Sequence, residues 1–185
     1  MRISKSLKKE IERRRQKDVG YLLLTDEKII EEIKSEKPVN QGTKTRVKEP
    51  RVLPDSVFSV TVDYSQSLEA MIQAGKYDWV NDDITAKHFP PPAGGQGGKG
   101  KVEVVFELMH FDKSVSSDEV ISEAKQRGLR LAKIEELLAF GEKYPEEQRK
   151  YPIVALGSVW RSWDGYRYVA GLWYGGGSRD LGLRW

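Results

Sequence analysis

The chain has 185 residues, enough for one ordinary domain with extensions, and its formal net charge of +3 is too small to mark a nucleic-acid binder by itself. It contains no cysteine, which removes disulfide frameworks, thiolate metal sites and cysteine nucleophiles together. Its two histidines, His88 and His110, show no metal-ligand spacing, so no zinc site is expected.

No run approaches the ~18 apolar residues of a membrane span. The early patch Tyr21-Leu22-Leu23-Leu24 is too short for the apolar core of a signal peptide. The default expectation is therefore a cytoplasmic protein with no membrane span.

Residues 1–37 read as a polar, basic helical extension. Leu7 and Ile11 lie one helical turn apart, and Thr25 is placed to cap a helix from Asp26 to Lys37 that carries Ile29, Ile30 and Ile33. Residues 2–17 concentrate the positive charge, with Lys8, Lys9, Arg13, Arg14 and Arg15 as candidate nucleic-acid contacts. The competing reading is a solvated helix or an oligomerisation handle. Residues 38–55, punctuated by Pro38, Gly42, Pro50 and Pro54, have linker composition.

From residue 56 the chain reads as a folded domain running to residue 185. Val57 to Tyr64 is strand-like, Ser65 or Ser67 is placed to cap a short helix through Leu68, Met71 and Ile72 to Gly75, and Tyr77 to Phe89 reads as an ordered loop. Within it, Asn81, Asp82 and Asp83 follow Trp79 and Val80 as a calcium-like run. Calcium needs six to eight gathered oxygens, so a turn or cap is the preferred reading. The stretch from Pro90 to Gly100 is a low-complexity hinge without the ending of a phosphate loop.

Val102 to Phe111 predicts a second strand. Ser116 or Ser117 before Asp118 and Glu119 predicts a helix start, with Gly128 closing that helix. A second helix follows through Ile134, Leu137, Leu138 and Phe140, ending near Tyr144-Pro145. The remainder is β-rich. Tyr151 to Trp160, Tyr166 to Tyr174 and Asp180 to Trp185 read as strands, joined by a hairpin at Asp164-Gly165 and a turn at Gly175-Gly176-Gly177-Ser178. Alternation puts Leu181, Leu183 and Trp185 on one face of the last strand and Asp180, Gly182 and Arg184 on the other.

This order is similar to the C-type-lectin-like fold over roughly residues 101–185. The run Gly128-Leu129-Arg130-Leu131-Ala132-Lys133-Ile134-Glu135-Glu136-Leu137 resembles the inter-helix turn of the branch that includes formylglycine-generating enzymes and retroelement-diversified binding proteins. Ala132 and Lys133 stand where that branch usually has Pro and Thr. Residues 57–185 also resemble uncharacterised proteins of candidate-phylum bacteria. The shared phrases are Asp63-Tyr64-Ser65, Gly75-Lys76-Tyr77-Asp78-Trp79 and Val154-Ala155-Leu156-Gly157-Ser158. The resemblance implies an α+β fold. Formylglycine chemistry depends on cysteine, so the enzymatic branch is excluded for this chain. It also implies a further closing strand, so the expectation is a chain truncated after Trp185, with Val57 to Tyr64 or a second copy as other sources of that strand.

Four of the five tryptophans, Trp160, Trp163, Trp173 and Trp185, fall in the last strands among tyrosines and arginines. Such residues dominate interface energies. Trp160 and Trp185 are expected in the core. Trp163, Tyr166, Tyr174, Arg179, Asp180 and a solvent-exposed Arg184 are the candidate ligand contacts. In the retroelement-diversified proteins that this region resembles, the ligand surface lies on these late strands. The expected function is non-catalytic recognition of a protein or glycan, without cofactor. The alternatives are nucleic-acid binding through the basic extension and hydrolysis by a carboxylate pair drawn from Glu103, Glu107 and Asp112.

Overall fold

The computed structural model describes residues 20–25, 57–91, 100–111, 114–163 and 165–184. Within them the fold is mixed α+β. In chain order the elements are β1 (Gly20–Thr25), β2 (Val57–Asp63), α1 (Leu68–Gly75), β3 (Trp79–Val80), β4 (Lys101–Met109), α2 (Ser117–Gln126), β5 (Leu129–Leu131), α3 (Ile134–Lys143), the short α4 (Glu147–Lys150), β6 (Ile153–Arg161), β7 (Arg167–Gly175) and β8 (Ser178–Arg184). The strands form one eight-stranded sheet in the order β2-β4-β1-β6-β7-β8-β3, with β5 paired to β1 beside that path.

Local chemistry accounts for most of the boundaries. Ser67 and Ser116 accept the N–H of Ala70 and Glu119 to cap α1 and α2, and Glu119 returns a bond to the Ser116 N–H, completing a capping box. Gly128, at φ +68°, ends α2 in the left-handed conformation. The β7–β8 hairpin turns through Gly176 and Gly177, at φ +64° and +92°, the positive values that a tight two-residue turn demands.

The helical reading of residues 1–37 is overturned at Gly20–Thr25. This segment is a strand, antiparallel to β4, parallel to β6 and flanked by β5. A four-residue apolar run is too short to carry helical periodicity, and Leu23, 1% exposed, is held between strands distant in sequence. The rest of 1–37, including Lys8, Lys9, Arg13, Arg14 and Arg15, lies outside the described residues, as do the linker and Trp185. Three short elements that carry no periodicity of their own also form: β3 within the expected ordered loop, β5 ahead of α3, and α4 after it.

The main core lies between one face of the sheet and the helices α1 and α3. Val62, Phe106, Ile153, Leu172 and Leu181 pack there against Leu137, Leu138 and Phe140, all fully or almost fully buried. On the opposite face α2 packs against β6 through Val120, beside Val154 and Leu156, and against β1 and β4 through Ala124, beside Leu23 and Met109.

The Gly128-to-Leu137 run forms a turn closed by an ion pair between the exposed Arg130 and the buried Glu136. Glu136, 1% exposed, accepts both Arg130 terminal nitrogens at 2.6 and 3.0 Å, the Tyr64 hydroxyl at 2.6 Å and the Lys133 N–H at 2.7 Å. A buried carboxylate is tolerable because all its lone pairs are engaged. Beside it, Gly157 donates to the Ala132 carbonyl at 2.8 Å, and a Cβ at 157 would meet that oxygen at 2.6 Å. Ser158 Oγ then accepts the first N–H of α3.

Candidate functional site

The six expected ligand contacts do not form one site. Trp163 and Tyr166 sit at the tip of the β6–β7 hairpin, 98% and 56% exposed. Tyr174 lies near the β7–β8 turn, roughly 26 Å from Tyr166 at about 3.3 Å per strand residue, with the Arg149 guanidinium 4.4 Å from its ring centroid. Of the remaining three, Arg179 stands directly opposite Tyr174, Asp180 opposite Trp173 and Arg184 opposite Val169, and the first two are structural.

Arg179 is a hub rather than a surface contact. Its guanidinium donates to the carbonyls of Gly75, Lys76 and Gly141 and to Gln148 Oε1, and lies 5.3 Å from the Tyr77 ring centroid. Its own N–H donates to Asp78 Oδ2 at 2.7 Å. It thus ties β8 to α1, α3 and α4. Tyr77 fills the space left by two glycines, since a Cβ on Gly75 would strike its ring and one on Gly141 its hydroxyl. Asp180 is likewise engaged. Its carboxylate accepts the Ser178 hydroxyl, and its carbonyl shares the Gln148 amide with that of Trp173.

Arg184 is not the free solvent-exposed side chain expected from alternation. It is part-buried on the outer face, 5.3 Å from the Trp173 ring centroid, and its positive charge also reaches Tyr21. The directly paired Gly171 and Gly182 make this arrangement possible. A Cβ on Gly182 would meet Trp173 Cζ3 at 2.8 Å, and one on Gly171 would meet the Arg184 stem at 3.6 Å.

The sequence reading missed Trp79. Its strand, β3, pairs in parallel with β8, so that Trp79 stands opposite Asp180 and Trp173 stands opposite Asp180 from the other side. The two indoles lie 6.2 Å apart, and Trp79 is 47% exposed. The outer face of β7, β8 and β3 therefore presents a row of Arg184, Trp173 and Trp79. The sequence signals there were the shared phrase Gly75-Lys76-Tyr77-Asp78-Trp79 and the run Asn81-Asp82-Asp83 that follows. Asn81 Oδ1 accepts the Asp83 N–H at 2.9 Å, so this run makes a turn, as preferred above.

Trp160 is packed against the core as expected, though only in part. It is stacked on His88, with centroids 4.1 Å apart, and on Tyr168. The Asp164-Gly165 hairpin is present but shifted. Gly165 donates to the Ser162 carbonyl and takes φ +89°, which puts Trp163 inside the turn at its apex.

The carboxylates weighed for hydrolysis are engaged separately. Glu103 accepts the Ser59 hydroxyl at 2.8 Å, whereas Glu107 pairs with Arg127 at 3.1 Å. Asp112 lies outside the described residues. A groove of about 420 Å³ between α2 and β5 is lined by Ile121, Ala124, Lys125, Gly128, Leu129, Arg130 and Leu131, none of them a carboxylate. Among the described residues, no helix is long and apolar enough to cross a membrane, and no cluster of three or more His, Asp or Glu is placed to hold a metal ion. Compared with known proteins, the chain matches no family model, no curated protein and no solved structure.

Proposed function

We propose that the chain is a non-catalytic recognition module of C-type-lectin-like type, binding a protein or glycan through aromatic and arginine side chains of its late strands. The observation that carries this reading is the outer-face row of Arg184, Trp173 and Trp79. Packing of Leu172 and Leu181 into the main core commits the other face of the same strands. The outer row is therefore not needed to build that core. Indole and guanidinium groups supply large contact area with few rotors to freeze, which suits a flat binding face. Support for the lectin-like assignment comes from the Gly128-to-Leu137 turn, in which Arg130 pairs with the buried Glu136.

The test is binding of the full chain to an arrayed panel of neutral and acidic glycans and to surface proteins from bacterial cells. The expected result is one ligand whose binding is lost in a Trp79→Ala, Arg184→Gln variant with unchanged far-ultraviolet circular dichroism and a cooperative unfolding transition. A ligand held equally well by that variant would move the site elsewhere.

A further inference from the structure

We propose that the tip of the β6–β7 hairpin is a docking point for an anionic lipid surface, distinct from the outer-face row. At the end of the hairpin, Arg161 and Arg167 stand directly opposite each other across the two strands, both exposed. Like charges in this position oppose strand pairing. Among the described residues, neither arginine makes a hydrogen bond or ion pair. Beyond them come Trp163 and Tyr166, with Val159 also 48% exposed just behind. None of these features contributes to the core, and the arginine pair works against the sheet. All of them complement a surface carrying phosphate groups over an apolar interior.

The shape of the tip selects among anionic partners. A stacked nucleobase needs a ring backed by protein, and an indole 98% exposed has no backing. Trp163 sits at the apex of an ordered turn, closed by Ser162 N–H to the Tyr166 carbonyl at 3.0 Å and Gly165 N–H to the Ser162 carbonyl at 3.1 Å. Such a point fits a medium that it can enter. Trp and Tyr settle at the headgroup level of a bilayer, and guanidinium groups take phosphate oxygens in a fork.

The sequence supplies a second element. Residues 2–17 carry Arg2, Lys5, Lys8, Lys9, Arg13, Arg14, Arg15 and Lys17 against Glu10 and Glu12. Polybasic segments are drawn to anionic leaflets, and stable peripheral attachment usually takes two such signals.

The experiment is co-sedimentation of the full chain with phosphatidylcholine vesicles, with and without phosphatidylglycerol. Binding is expected only with the anionic lipid, and it should fall as salt rises. An Arg161→Gln, Arg167→Gln variant should bind roughly thirtyfold more weakly, the loss expected for two arginines at such a surface. Trp163→Ala should also weaken binding, and the wild-type emission shift to the blue on vesicles should shrink in Trp163→Phe. Trp79→Ala should bind vesicles like the wild type, which separates this surface from the recognition face. Absence of binding to anionic vesicles would overturn the proposal. So would full binding by the tip variants, which would assign attachment to residues 2–17 alone. Binding of heparin or an oligonucleotide through the tip arginines without vesicle binding would also overturn it and assign a soluble polyanion. The same holds for tip-dependent capture by an acidic protein without vesicle binding.

Discussion

The guanidinium of Arg179 donates to the carbonyl oxygen of Gly141 across 3.0 Å, fixing β8 to the C-terminal end of α3. The same group satisfies Gly75, Lys76 and Gln148. Arg179→Ala should therefore destabilise the fold by about 3 kcal/mol, because several acceptors lose their donor at once. Arg179→Lys should recover little of this, since an ammonium cannot span acceptors set out for a planar fork. Urea unfolding of the two variants checks both statements.

Gly182→Ala should cost about 1–3 kcal/mol, the usual range for overpacking. The added methyl would enter the space held by the Trp173 ring. If ring displacement is the cause, the substitution should cost much less when Trp173 is already Ala. A double-mutant cycle by thermal unfolding measures this coupling directly.

Two phenols set an alkaline limit on stability. Burial first, and then the negative charge and hydrogen bond of Glu136, hold Tyr64 well above the ordinary tyrosine range. Burial does the same for Tyr77. With the folded value raised, the contribution is complete below pH about 10, the unfolded value, and is lost as pH rises above it. The unfolding midpoint should therefore drop on alkalinisation beyond that point, without a corresponding change at neutral pH from these groups. Tyr64→Phe with Tyr77→Phe should flatten the alkaline limb.

Trp163→Ala should change stability by no more than about 0.5 kcal/mol, as expected for a side chain without a packed partner. Tyr174→Ala should cost somewhat more, because Arg149 lies against its ring. Chemical denaturation of the two single variants would rank them.

The sequence revealed features whose cause is local. Ser116 with Glu119, Gly128, and Gly176 with Gly177 each announce a cap or a turn within a few residues, and each is found there. Leu181 is buried, as alternation required. Features that depend on distant partners were misread. Tyr21 to Leu24 offers no strand signal of its own and becomes one only between β4 and β6. Arg179 looked like an exposed turn residue, because the helix ends that receive it lie far back in the chain. Trp79 joined the late strands through a two-residue parallel pairing that no periodicity can display. The exposed tip was anticipated because a hairpin signal and a large aromatic coincide at Trp163.

Among the described strands, only β1 joins the pair β2–β4 to the strands from β6 onward within the sheet. This keystone is synthesised first and can be seated last, since both of its long neighbours follow it by many residues. Closure of such remote pairings slows folding and prolongs exposure of unpaired edges. The nascent protein therefore carries the β6 edge of Gly20–Thr25 unmatched until β6 has been made, and a chaperone that shields this edge would favour correct assembly over clumping. Deleting it should divide the sheet into two halves held together through the core they share with α3.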